Sequence, residues 1–165
     1  MRGGLIAVAA VGLAAGAACS AGRWIPSGTG GRVRVERMAR RATILVDEPG
    51  RAEYCPLDSL LTIVATGPAP AAGFAVRVVF PLRAARSFVV QATLAGLDTA
   101  TAAFRLDDGS ARVATAGVLR LQASATVDGD FDLSVPDSGG NTVRFTGTLS
   151  RLPTRSAPSA SCSRI

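Results

Sequence analysis

The sequence predicts an all-β domain: an antiparallel β-sandwich with a C-terminal meander, with a small closed β-barrel as the alternative. Three observations predict it. From residue 100 to 150, apolar and polar side chains alternate with a period of two, the mark of an antiparallel sheet with one wet face. Leu60-Leu61-Thr62-Ile63-Val64 and Phe74-Ala75-Val76-Arg77-Val78-Val79-Phe80 are apolar on nearly both sides, as central strands are. No segment sustains a 3.6-residue period, and only Leu94 to Ala102 has room for a short helical turn.

Strands are expected at 31–36, 42–47, 59–66, 73–80, 87–92, 100–106, 111–125 with a bend at Gly117, 127–135 and 142–150. Gly, Pro and Asp break the β-branched runs at short spacing. In 100–106 the inward set is Ala102, Phe104 and Leu106; in 111–125 it is Val113, Leu119, Leu121 and Ala123. In 127–135 it is Val127, Gly129, Phe131, Leu133 and Val135, with Asp128, Asp130, Asp132 and Ser134 outward. Val143, Phe145, Gly147 and Leu149 continue it in the last strand, where Thr142, Arg144, Thr146, Thr148 and Ser150 face out.

Directly opposed residues share a face, so parity constrains the turns. A two-residue Asp108-Gly109 turn sets Phe104 opposite Val113, both inward, and Asp-Gly is a favoured type I′ pair. A Gly139-Gly140 turn of that length would set outward Ser134 opposite inward Phe145. The 135–143 connection therefore needs an odd number of loop residues or a bulge. Gly147 is expected opposite Phe131 or Leu133, whose side chain would cover it.

The chain divides into a signal peptide (1–18), a flexible Gly/Ser tether (19–31), a single β-domain (32–154) and a Ser/Pro-rich tail (155–165). Arg2 supplies a positive n-region, and Leu5 to Ala18 an apolar h-region of a secretory signal. Gly16-Ala17-Ala18-Cys19 resembles the lipobox of bacterial lipoproteins, with Gly16 standing where Leu is usual. The resemblance covers the first 19 residues and implies that Cys19 becomes the first mature residue and carries a lipid. The expected location is then the cell envelope, with the membrane as partner through that anchor. Ordinary cleavage near Ala17 or Ala18 would instead release a soluble secreted or periplasmic protein.

There are three cysteines, an odd number for an oxidising compartment. Lipidation of Cys19 leaves Cys55 and Cys162 to pair, closing a loop of about 100 residues and tying down the tail.

All 18 basic residues are Arg. Residues 22–51 hold seven of them against three acids, whereas residues 52–154 hold eight against nine. Arg32, Arg34, Arg37, Arg40 and Arg41 form a basic arm that could meet an anionic envelope component. Interleaved aromatics of the kind that nucleic-acid binders carry are missing from it.

With no His and no Lys, His-based triads, Ser-Lys dyads, Schiff-base lysines and His-ligated zinc are excluded. Carboxylate chemistry and oxygen-ligand metals survive. Asp128, Asp130 and Asp132 form a D-x-D-x-D row, but Leu133 and Gly139 occupy the positions where a calcium loop needs Gly and Glu. The row reads as a solvated strand face, with a cation site as the lesser alternative. No cofactor and no catalytic residue is expected. The function expected is a non-catalytic binding or structural domain; the alternatives are a carboxylate-based hydrolase and a small barrel holding an apolar ligand.

Overall fold

The computed structural model describes residues 30–39, 41–66, 72–79, 85–106, 108–137 and 139–157. The signal peptide, Cys19, nearly all of the tether, Arg40 and Cys162 lie outside the described residues. Within them the fold is all-β, with ten strands. These are β1 (Arg32–Met38), β2 (Ala42–Cys55), β3 (Leu60–Thr66), β4 (Gly73–Val79), β5 (Ala85–Val90), β6 (Thr99–Arg105), β7 (Ala111–Val113), β8 (Ala116–Ala123), β9 (Thr126–Pro136) and β10 (Thr142–Ser156). Between Gln91 and Asp98, where a helical turn had room, the chain makes bends and a turn instead.

Nine strands close into a ring in the order β4-β3-β2-β1-β10-β9-β8-β5-β6, and β6 returns to β4. The architecture is thus the closed barrel rather than a sandwich with open edges. What remains of the sandwich is the way two facing walls meet through the core. Phe74 of β4 stacks on Phe131 of β9 at 4.7 Å between ring centroids, and Phe104 of β6 on Phe145 of β10 at 4.7 Å. Phe74 and Phe104 touch at 5.3 Å. Burial of one such side chain contributes about 1.5–3 kcal/mol. Opposed residues stack in layers between these rings, as in Ile63–Val76–Ala102 across β3, β4 and β6. The described residues bury no polar or charged residue in this core.

β10 holds the ring together by pairing with three strands. Thr142 to Leu149 runs against β9 and Arg144 to Ser150 against β1; after a register shift Leu152 and Pro153 rejoin β9, and Thr154–Ser156 pairs parallel with Ala52–Tyr54 of β2. The final strand therefore extends two residues into what the sequence suggested was tail. Arg151 sits in the irregularity at φ 50°, a left-handed conformation that is costly for a residue with a side chain.

Gly147 lies directly opposite Phe131, as parity required. The 135–143 loop is odd: Asp137 and Asn141 close it, leaving three residues with Gly140 at φ 80°.

The Asp-Gly hairpin departs from the two-residue turn expected of it. The Leu106 N–H donates to Ser110 O at 2.9 Å and the Gly109 N–H to Leu106 O at 2.9 Å. The loop thus has three residues, with Gly109 left-handed at φ 79°, the arrangement of a type I turn followed by a glycine bulge. Register moves by one residue, setting Phe104 opposite Arg112 and Ala103 opposite Val113. A one-residue slip exchanges the faces of a strand, so Val113 points outward, 42% exposed. Ala114 is buried in its place, and a bend through Gly117 (φ 137°) returns Leu119, Leu121 and Ala123 to the core.

Candidate functional site

The barrel has two chemically different outer walls. Across β1, β10, β9, β8 and β5 one outward ladder reads Arg34, Thr148, Asp130, Arg120, Ser87. Across β2, β3, β4, β6 and β7 another reads Arg51, Val64, Ala75, Ala103, Val113.

On the polar wall the D-x-D-x-D row is fully engaged. Asp128 accepts the Arg151 backbone N–H at 2.9 Å, Asp130 accepts Arg120 at 2.8 Å, and Asp132 accepts Arg144 Nε at 2.7 Å. The Arg144 guanidinium, through its hydrogen bonds above all, holds the Asp132 carboxyl below the usual range. Asp47 is lowered by its hydrogen bond with Arg32, Asp108 by those from Ser110, and Asp137 by backbone N–H groups led by that of Asn141. A general acid needs the opposite shift. These four carboxylates stay ionised and act as structural acceptors. Among the described residues no group of three or more His, Cys, Asp or Glu could hold a metal ion. The depressions on this wall are shallow and cross ion pairs; one of about 390 Å³ is lined by Ser87, Arg120, Asp128 and Asp130.

Two described arginines of the basic arm are in ion pairs. Arg32 pairs with Asp47, and Arg34 pairs with Glu36 at 2.7 Å. Arg37 and Arg41 are exposed near the β1–β2 turn, while Arg40 lies outside the described residues.

The apolar wall carries a groove of about 570 Å³. Its floor includes Ala75 and Ala103, Val113 forms one side, and Ala92, Thr93 and Leu94 form the rim. The rim is anchored by Thr99, whose Oγ1 accepts the Ala95 and Gly96 N–H groups at 3.0 and 2.9 Å and donates to Gly96 O at 2.8 Å. Within the groove, Arg77 and Thr101 face each other across β4 and β6. None of these residues stands out as a site in the sequence. The available signal was the two-sided apolarity of β3 and β4, which suggested a covered strand; in a single-layered barrel only one face is inside.

Cys55 ends β2 and is 3% exposed, although it alternates with outward Arg51 and Glu53. Ala157, the last described residue, donates its N–H to Tyr54 O at 2.8 Å, so the chain reaches the limit of the described residues beside Cys55.

Compared with known proteins, the chain matches no family model, no curated protein and no solved structure.

Proposed function

We propose that this chain is an exported, non-catalytic binding domain of the cell envelope, tethered through a lipid on Cys19 and braced by a Cys55–Cys162 bridge, with the apolar outer groove as its binding surface. The observation that carries the binding reading is the row Val64, Ala75, Ala103, Val113 on the outside of a barrel whose inside is filled by its own Phe side chains. Ligand sites are concave and mostly apolar with a few placed polar groups, commonly of 300–1,000 Å³. The β3–β4–β6 groove has that size and composition. The envelope features of the N-terminal residues, a charged n-region, an apolar stretch and Ala17-Ala18-Cys19, support the location.

Calorimetric titration with decanol, a neutral alkyl probe, tests the groove. The wild type is expected to bind it, and Ala103→Glu, which places a carboxylate on the groove floor, is expected to lose binding while keeping its circular dichroism. Equal binding by the folded variant would overturn the reading. Mass spectrometry of the mature N-terminus tests the anchor: the expected result is a diacylglycerol-modified Cys19, and an unmodified N-terminus at Ala18 points to the freely secreted form.

A further inference from the structure

The groove contains one cation that the rest of the described structure leaves uncompensated. Arg77 projects from the outer face of β4 between Thr62 on β3 and Thr101 on β6, its directly paired neighbours. Among the described residues it makes no ion pair. The acid on the same ladder row, Glu53, is two strands away, roughly 10 Å by strand spacing. It is already engaged by Arg51 at 3.0 Å. Six other arginines are in ion pairs; Arg77 differs from the remaining ones by its place, as the charged residue that lines the apolar groove.

We infer that the groove takes a single-chain amphiphile with a terminal carboxylate, a fatty acid, whose alkyl chain lies along Ala75, Ala103 and Val113 and whose carboxylate is held by Arg77. The inference rests on the groove reading above and deepens it. In the free protein, water satisfies the Arg77 guanidinium. An alkyl chain lying in the groove expels part of that water, and the guanidinium then needs an acceptor of opposite charge. Arginine's fork of donors matches a carboxylate bidentately, and the Thr93 and Thr101 hydroxyls on the groove lining add neutral donors. One cation and one groove of about 570 Å³ suit one chain and one negative charge.

The test is calorimetric titration of the purified protein with decanoate and with decanol, below the micellar limit of the acid, in the wild type and in Arg77→Gln. Decanoate is expected to bind at least tenfold tighter than decanol to the wild type. In Arg77→Gln decanoate should weaken about tenfold and decanol stay unchanged. If the wild type binds both equally, or if Arg77→Gln leaves the decanoate preference intact, the carboxylate inference falls and the groove reading stands. If neither probe binds the wild type, both fall.

Discussion

The backbone N–H of Arg151 is held by the carboxylate of Asp128 at 2.9 Å, across the irregularity where the register of β10 against β9 shifts. The Thr126 hydroxyl donates to the other oxygen of the same carboxylate at 3.3 Å. Arg151 is left-handed there, and its carbonyl carbon and oxygen lie 2.3 Å from where a Cβ on Gly31 would stand. Asp128 thus pins the bend that lets β10 pass from β1 to β2.

Removing the acceptor should be felt at this bend. Asp128→Ala is expected to cost about 1–2 kcal/mol in urea unfolding, and Asp128→Asn, which keeps an acceptor oxygen, clearly less. Arg151→Gly should exceed Arg151→Ala in stability by about 1 kcal/mol, because glycine adopts the left-handed conformation without a Cβ clash. Equal stabilities of the Gly and Ala variants would remove the strain argument.

Gly147 is the tightest point of the β1–β10–β9 wall. A Cβ there would fall 2.2 Å from Arg34 O and 2.3 Å from the Phe131 ring. Gly147→Ala should destabilise by about 2–3 kcal/mol. Adding Phe131→Leu should not restore the loss, since the backbone oxygen of Arg34 stays in place. Full rescue in the double variant would contradict this geometry.

Acid should be the only mild pH stress that matters. The folded forms of Asp47, Asp108, Asp132 and Asp137 have pKa values below those of the unfolded chain. A lowered folded pKa contributes stability that is complete above the unfolded value, about 3.9 for Asp, and is lost as pH falls through the folded one. With no histidine in the chain, no side chain has an ordinary pKa between 5 and 8. Calorimetry should give a Tm that is flat from about pH 5 to 8 and falls below about pH 4. In Asp132→Asn the deficit relative to wild type should shrink as pH falls; a deficit constant down to pH 2 would refute the link to Arg144.

The proposed bridge predicts that Cys55 resists alkylation in native protein until a reductant is added. Five residues of extended chain from Ala157 to Cys162 reach at most about 17 Å, enough to return to the neighbouring end of β2. Closing a loop of about 100 residues is worth roughly 4–5 kcal/mol in the chain-entropy model, so Cys162→Ser should lower stability by an amount of that order. Peptide mapping that finds Cys55 alkylated without reductant would eliminate the bridge.

Much of the fold was legible because alternation is a direct trace of a sheet with two unlike faces. The row Val127, Phe131, Leu133, Val135 and its partner Phe145, Leu149 fixed which face was inside, and from it the odd loop and the Gly147–Phe131 contact followed. The Asp-Gly hairpin was misread because β7 has three residues, too few for alternation to decide, and Val113 looked like core by its chemistry alone. The loop has the same three-residue form at both sites, with glycine left-handed in third position, and that common form is the signal that would have corrected the register. The groove stayed hidden for a related reason. Apolar residues on both faces of β3 and β4 are compatible with a second layer, and only ring closure leaves their outer face uncovered.

β1 is seated between β2, which follows it at once, and β10, which begins on the order of 100 residues later. A chain made N-terminus first can form the β1–β2 hairpin early, but one edge of β1 has no partner until the last strand emerges. During that interval the edge is open to strand addition from another copy. The same final strand satisfies β9 as well, so a chain cut short before Thr142 would leave two neighbouring edges permanently unpaired and the ring unable to close.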